Sequence, residues 1–466
     1  MRAQGELLLA TQTSTAALFS PIQHVRWFSR PRLIVWFWLG AILTVVVMAW
    51  TTPVGWDAQV CWRAVQSAHQ ASDPYAEGIA TLRGFHQRLA SNPAERPPLV
   101  YVYSPMTLPL LRLLAAFPAW LLGLFYWAAI ATGALLQLWA GFQMAEERER
   151  RWLALMLPAL AFFPGLITDD VFLSGNVAYI LYGAILTAAT VGWKRGHWFW
   201  YYLAVLAASV FKAPFLVLLA FPVLVEIGTR NARPQWLQSG ITAIAGVLIF
   251  AAQMRLWPNM FREYLLTLRL MFDWEHDFGF GPAGILGRAL WRRELPSSLA
   301  TTILYLAVAG MLGAALLFIA RRVREWNLPR TTWVPIAFVG VALLNPRIMK
   351  YDLAPLTVPM LLIAWRALRV AFQSSPSESH DGDSNQIRDH RSARALVLVA
   401  ALCFLIPNII TVAGPTWFPI ELVVLLVVFA MAVRSIYRPP VEVQPSVAPP
   451  EPAADLLLAL ELEEVQ

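Results

Sequence analysis

The sequence predicts an all-α fold, a polytopic transmembrane helical bundle, from three observations. Of the 466 residues, 58% are hydrophobic and 14% are charged, whereas a soluble globular chain is nearer half apolar and a quarter charged. The apolar residues form blocks such as LLGLFYWAAIATGALLQLWAGF, and about 20 predominantly apolar residues cross a bilayer as one helix. The 21 Trp residues fit a protein with many membrane–water interfaces, where amphipathic rings gather.

The blocks predict a multi-pass transmembrane domain over residues 33–435, after a cytoplasmic segment of residues 1–32 and before a disordered cytoplasmic tail of residues 436–466. The stretch from Leu33 has no small-residue cleavage pattern and is expected to be a retained first span. Spans are expected near 33–52, 119–143, 152–168, 177–193, 236–254, 298–319, 331–344, 353–370, 395–413 and 417–435.

Two further apolar segments are ambiguous, so the expected total is ten to thirteen spans. Residues 99–117 fit either a span or a re-entrant segment. Residues 198–225 are too long for one straight helix and are interrupted at Lys212 and Pro214. We interpret the second segment as two short helices that meet inside the membrane, which is tolerated where backbone lines a cavity.

Short basic loops predict the orientation, because such loops stay cytoplasmic. The N-terminus is expected inside, with residues 371–394 as a cytoplasmic linker and residues 53–98 and 255–297 as long outer loops. The net charge of +7 lies in these short loops and not on one soluble face, which argues against nucleic-acid binding. Two distant cysteines do not make a disulfide framework.

The polar residues with possible chemistry collect in the outer segments. Asp57, in GWDAQVCWRA, is expected to be partly desolvated, which raises the pKa of a carboxyl and suits it to act as a base; a solvated loop or a helix cap is the alternative. Tyr75 and Tyr103 belong to an aromatic and Arg-containing loop that fits a sugar or lipid headgroup. An interfacial amphipathic helix explains the same loop equally well.

Three more candidate positions follow along the chain. Asp169 and Asp170, in ITDDVFLSGN, form a carboxylate pair at the outer end of a span, where they either contact substrate or cap a helix, and Asn176 is a candidate substrate contact. Lys212, in ASVFKAPF, sits at a span centre. A lysine there costs roughly 2.5–3.5 kcal/mol on insertion scales, so it is a functional candidate, unless it reaches the interface or an ion pair.

A late outer segment, NPRIMKYDLAPL, places Arg347 and Lys350 within one turn at the membrane surface, followed by Tyr351. Arginine matches phosphate geometry, so this segment is a candidate phosphate site. The spacing of the acidic and His residues at 275–277 matches no trusted metal motif. No metal and no cofactor are therefore expected.

These motifs, in their order, resemble the integral-membrane glycosyltransferases of family 87, which depend on polyprenyl-phosphate-mannose and have the GT-C architecture. The resemblance rests on GWDAQVCWRA with DPY, YVYSPMTLPL, SGNVAYIL, FKAPF and NPRIMKYDLAPL, and it runs from about Leu33 to about Trp365. The late motif departs from many members, which carry a Trp–His-type pair there.

The resemblance implies an inverting transfer of a sugar, commonly mannose, from a polyprenyl-phosphate donor to a glycolipid or polysaccharide acceptor at the outer face of the bacterial cytoplasmic membrane. It implies that Asp57 is the catalytic base and that Asn176, Lys212, Arg347 and Lys350 lie near the donor phosphate or sugar. A transporter or flippase of a lipid-linked or small polar substrate is the alternative, because it too would use broken helices and intramembrane charges.

Overall fold

The computed structural model describes thirteen parts of the chain, and all structural statements concern these parts. They are residues 55–69, 73–89, 91–92, 98–114, 116–147, 149–150, 153, 174–227, 229, 232–271, 298–346, 348–373 and 420–437. Helices make up 85% of this described portion, and no strand occurs within it. The all-α prediction is therefore confirmed for these residues.

Fourteen α-helices occur in the described ranges, together with two short 3-10 helices, Ala213–Leu219 and Ala354–Leu356. In chain order they are α1 Trp56–His69, α2 Pro74–Leu89, α3 Thr107–Leu114, α4 Ala119–Gln143, α5 Ala178–Arg195, α6 Phe199–Phe211, α7 Ala220–Glu226, α8 Ala232–Leu256, α9 Pro258–Leu270, α10 Ser298–Glu325, α11 Arg330–Leu343, α12 Lys350–Leu353, α13 Thr357–Gln373 and α14 Ile420–Tyr437.

Three of these helices are long and apolar enough to cross a membrane: Trp120–Gln143 within α4, Ala232–Leu256, and Thr302–Glu325 within α10. Large apolar side chains along all three are exposed on the outside of the bundle. Such faces suit a lipid environment, because exposed apolar patches of this length are unfavourable in water. The described part of the chain thus contains three candidate membrane spans.

Several predicted spans coincide with helices, and others lie outside the described residues. The block 119–143 coincides with α4. The block 177–193 lies within α5 except for residue 177, and the block 236–254 lies within α8. The expected spans 33–52 and 395–413, nearly all of 152–168, and the tail beyond Tyr437 lie outside the described residues. In the ambiguous segment 99–117, α3 has eight residues, about 12 Å of helix, which is too short to cross.

The two expected outer loops are more helical than the sequence indicated. Residues 53–98 contain α1 and α2, and residues 255–297 begin with α9. Helices α2 and α9 pack against each other, and their contact includes Tyr75 and Tyr264, whose ring centroids are 5.7 Å apart. Short amphipathic helices gain most of their stability from such packing and not from local propensity.

Helices α4 and α5 approach closely through two glycines. A Cβ atom added at Gly183 would lie 2.7 Å from Gly133 Cα, and one added at Gly133 would lie 2.5 Å from the carbonyl oxygen of Tyr179. The same carbonyl accepts a hydrogen bond of 2.9 Å from Gln137 Nε2. Small residues that allow close backbone approach, together with interhelical hydrogen bonds, are how helices associate in lipid.

The segment 199–226 is a broken hairpin, and the break lies at Lys212 as the sequence predicted. Pro214 has no N–H to continue the helix, so the carbonyl oxygen of Val210 accepts a hydrogen bond from the hydroxyl of Ser104 instead. The two ends of the segment meet where Trp198 Nε1 donates to Glu226 Oε1 at 3.3 Å. The hairpin therefore begins and ends on one side of the bundle, with Lys212 at its tip.

Two ion pairs with buried carboxylates lie at the end of the bundle where the hairpin begins and ends. Arg330 Nη2 contacts Glu226 Oε2 at 3.1 Å, and Arg330 Nη1 donates to the carbonyl oxygen of Trp193 at 2.7 Å. Arg366 forms two hydrogen bonds to the carboxylate of Glu149, at 2.8 and 2.6 Å. These contacts join α5, α7, α11 and α13 with the segment after α4.

Candidate functional site

Asp57 lies in the first turn of α1, beside the turn Ser174–Gly175–Asn176 that precedes α5. Gly175 has φ +65°, a left-handed conformation that glycine adopts without strain. The hydroxyl of Tyr126, on α4, donates a hydrogen bond to the carbonyl oxygen of Gly175. Because α4 fixes this turn, Asn176 is held facing Asp57.

Asn176 bridges an acid and a cation, and we call these three residues the Asp57–Asn176–Lys212 triad. Asn176 Nδ2 donates to Asp57 Oδ2 at 2.6 Å, and Asn176 Oδ1 accepts from Lys212 Nζ at 3.2 Å. Asn176 Oδ1 also accepts from the backbone N–H of Ala178 at 2.9 Å. A side-chain amide carries both a donor and an acceptor, so asparagine suits this bridging position.

Lys212 is also held by two aromatic rings. Its Nζ lies 3.7 Å from the ring centroid of Tyr351 and 5.6 Å from that of Tyr103. Contacts of this kind are worth roughly 0.5–2 kcal/mol, more when the cation is desolvated. The rings therefore help to keep an ammonium group at the tip of a membrane hairpin, where an unaccompanied charge would be costly.

Tyr75 supports the site from α2. It is fully buried, and its hydroxyl donates to the carbonyl oxygen of Tyr103 at 2.5 Å. The ring centroids of Tyr75 and Tyr101 are 5.5 Å apart, and those of Tyr101 and Tyr103 are 5.6 Å apart. Tyr75 thus helps to position Tyr103, whose ring faces Lys212.

The electrostatics of Asp57 follow from its half-buried position. Burial raises the pKa of the Asp57 carboxyl above its ordinary value, while the Asn176 hydrogen bond, the Lys212 charge and a Ser174 hydrogen bond lower it. Burial, followed by the nearby Asp57 charge, raises the pKa of the Cys61 thiol to about 12. The thiol is therefore neutral at physiological pH and is a poor nucleophile.

Asp352 is a site residue that the sequence reasoning passed over. Its buried carboxylate accepts from the Tyr182 hydroxyl at 2.9 Å and from the backbone N–H of Met349 at 2.9 Å. These bonds tie the turn that carries Tyr351 to α5, and a cavity of about 10 Å³ beside them has room for a single water molecule. The signal was its position directly after Tyr351 in a charged segment between apolar blocks.

Among the sequence-predicted residues, the structure brings together Asp57, Asn176, Lys212, Tyr103 and Tyr351, with Tyr75 behind them. Asp169, Asp170 and Arg347 lie outside the described residues. Lys350 is the first residue of α12, and the position of its side chain is likewise outside the description. No group of three or more His, Cys, Asp or Glu residues in the described ranges is arranged to hold a metal ion.

The site combines a half-buried carboxylate, an amide bridge and a cation at the broken tip of a membrane hairpin. The carboxylate can accept a proton, and the cation can stabilise a nearby anion. Comparison of the chain with family models, with curated proteins and with solved structures finds no match.

Proposed function

We propose that this chain is a membrane glycosyltransferase of the GT-C type, which transfers a sugar, mannose in the first instance, from a polyprenyl-phosphate donor to a glycolipid or polysaccharide acceptor. The reaction takes place at the outer face of a bacterial cytoplasmic membrane. The observation that carries the proposal is the Asp57–Asn176–Lys212 triad, because it joins a carboxylate and an ammonium group within one hydrogen-bonded unit.

In this proposal Asp57 is the general base. Its carboxylate takes the proton of the acceptor hydroxyl while the acceptor oxygen attacks the anomeric carbon from the face opposite the phosphate, which inverts the configuration. General-base catalysis typically contributes about 10²–10⁴-fold to the rate. Asn176 holds one carboxylate oxygen, and this keeps the orientation of the base fixed between turnovers.

Lys212 is the residue that stabilises the leaving group. The bond between the anomeric carbon and the phosphate oxygen breaks, and the polyprenyl phosphate leaves with the additional negative charge. A preorganised cation at this point stabilises that charge, an effect often worth about 3–4 kcal/mol per group. A donor that is anchored in lipid would present its phosphate at the tip of the membrane hairpin, the level at which Lys212 lies.

The second candidate is a transporter or flippase for a lipid-linked or small polar substrate. The broken hairpin with a charged residue at its tip favours this class, because discontinuous helices form the substrate sites of many transporters. Proton-coupled transporters also use buried carboxylates, so the two candidates differ in the activity that Asp57 would serve: transfer of the sugar to an acceptor, or movement of the lipid-linked substrate across the bilayer. Substitution of that carboxylate therefore separates the two candidates.

The test uses the full chain in proteoliposomes with a radiolabelled polyprenyl-phosphate sugar and a lipid extract as acceptor. Asp57→Asn should lower the formation of labelled product by about 10²–10⁴-fold, while the amount of folded protein in the membrane stays the same. Asp73→Asn is the matched control. Asp73 precedes α2 and accepts from the N–H of Tyr75 at 2.8 Å, and asparagine caps a helix as well as aspartate does.

Three outcomes decide the question. Loss of product in Asp57→Asn with retention in Asp73→Asn supports the transferase. Full product formation in Asp57→Asn, with reduced movement of the labelled lipid across the bilayer, overturns it in favour of the flippase. Absence of labelled product with the wild-type chain, under conditions in which it binds the donor, also counts against the transferase.

A further inference from the structure

A cluster of cations lies at the end of the bundle opposite the triad. Lys194 and Arg195 end α5, and Lys194 Nζ donates a hydrogen bond to Gln143 Oε1 at the end of α4. Arg150 Nε donates to the carbonyl oxygens of Phe142 and Ala145, each at 3.2 Å. The Arg150 guanidinium is thus close enough to the Lys194 ammonium for the two charges to repel one another. We call Arg150, Lys194 and Arg195 the basic patch.

The basic patch lies one membrane thickness from the triad. Helix α5 starts two residues after Asn176 and has 18 residues, which span about 27 Å at 1.5 Å per residue. The hydrocarbon core of a bilayer is about 30 Å thick. When the triad lies near one surface of the membrane, the basic patch therefore lies at the headgroup level of the other.

Exposed aromatic residues border the basic patch. Phe199 and Trp200 are 67% and 61% exposed, and their ring centroids are 5.3 Å apart in an edge-to-face arrangement. Trp139, one turn before the end of α4, is also exposed. Exposed aromatic side chains next to cations at a helix end are typical of the interface between lipid tails and headgroups.

Within the described ranges, the basic patch differs from two other cations at this end, which have acidic partners. Arg330 and Arg366 are paired with the buried carboxylates of Glu226 and Glu149. No ion pair with a described carboxylate involves Lys194 or Arg195. Two repelling cations that are held together by hydrogen bonds to α4 therefore create a positive potential that an external anion would relieve.

We propose that the basic patch, with its aromatic border, binds the headgroup phosphate of an anionic glycerophospholipid in the leaflet opposite the triad. The phosphate would lie between Lys194 and Arg150, and the acyl chains would lie along the exposed aromatic residues of α6. This site is separate from the proposed donor site, and its existence does not depend on the proposed function. Basic clusters between helices at this depth are known as sites for anionic headgroups.

The test measures lipid binding to the full chain in a neutral detergent by native mass spectrometry. Dioctanoyl phosphatidylglycerol is titrated, with dioctanoyl phosphatidylcholine as the zwitterionic comparison and glycerol 3-phosphate as the headgroup without tails. The wild-type chain should retain the anionic lipid selectively. Lys194→Gln with Arg195→Gln should weaken its affinity by about thirty-fold, since each cation near an anionic surface contributes roughly five- to six-fold.

Arg321→Gln with Arg324→Gln is the matched control, because both side chains are exposed near the end of α10 and the same number of charges is removed. Retained affinity in this control supports a localised site. Equal weakening in both double variants would assign the binding to the whole basic surface and overturn the proposal. Equal retention of both lipids by the wild-type chain, or binding of glycerol 3-phosphate as tight as that of the lipid, would overturn it as well.

Discussion

Replacement of Arg366 by glutamine should lower the free energy of unfolding far more than replacement of an exposed arginine at the same end of the bundle. Arg366 is 15% exposed and Glu149 is 1% exposed, and two parallel hydrogen bonds join the guanidinium and the carboxylate. Arg366 also donates to the carbonyl oxygen of Thr331 at 2.8 Å. Glutamine removes the charge and leaves the carboxylate of Glu149 buried without its cation.

The expected loss follows from that burial. Removal of one partner from a buried ion pair costs about 3–5 kcal/mol, because the remaining charge is desolvated and uncompensated. The measurement is the free energy of unfolding in mixed detergent micelles, followed by the loss of helical circular dichroism. Arg366→Lys should fall between the wild type and Arg366→Gln, since lysine keeps the charge but cannot form the bidentate contact.

Arg322→Gln provides the control at the same end of the bundle. Arg322 and Glu325 form an exposed pair in α10, with side chains 44% and 55% exposed, and such pairs contribute about 0–1 kcal/mol. Our reasoning predicts a clear gap between Arg366→Gln and Arg322→Gln. Equal losses in the two variants would show that burial of the Glu149 pair does not determine its contribution, and would refute the reasoning.

Two further predictions concern the triad and the contact between α4 and α5. Asn176→Ala should move the acidic limb of the pH–rate profile for sugar transfer to higher pH. The Asn176 hydrogen bond lowers the pKa of Asp57. Loss of this hydrogen bond therefore raises the pKa of Asp57, and the base becomes protonated at a higher pH. An unmoved limb would exclude Asp57 as the titrating base. Gly183→Ala should lower thermal stability by several degrees, because the new Cβ would meet the backbone of Gly133 and overpacking costs roughly 1–3 kcal/mol. Gly310→Ala, with open space around it, should change stability by less than a degree or raise it slightly, and similar losses in both would contradict the close-contact explanation.

The sequence was sufficient to predict those features of the fold that a local rule decides. The apolar block 119–143 is bounded by Pro118 and coincides with α4, since only a helix satisfies the backbone of such a block in lipid. The break in the segment 198–225 was also predictable, because Pro214 cannot donate the next helical hydrogen bond. The site residues Asp57, Asn176 and Lys212 were found as polar residues at the ends or centres of apolar blocks.

Other features had no local signal. Tyr126 lies inside an apolar span, and nothing in its neighbourhood indicates that it would hold the carbonyl of Gly175. Helices α1, α2 and α9 lie in segments that were expected as long outer loops, with an amphipathic helix as the alternative for the first. Their stability depends on contacts with segments distant in sequence. Asp352 was visible as a residue, but its hydrogen bond to Tyr182 joins positions 170 residues apart.

By itself, the sequence determined a helical chain with candidate membrane spans, because the hydrophobic effect and the backbone's need for hydrogen bonds act on every apolar block independently of its neighbours. It also predicted which polar residues would be costly at the depth expected for them. Only the tertiary structure decided that Asn176 joins Asp57 to Lys212 and that the cation lies against Tyr351. Such contacts depend on how helices far apart in sequence pack together, and composition and spacing carry no information about that packing.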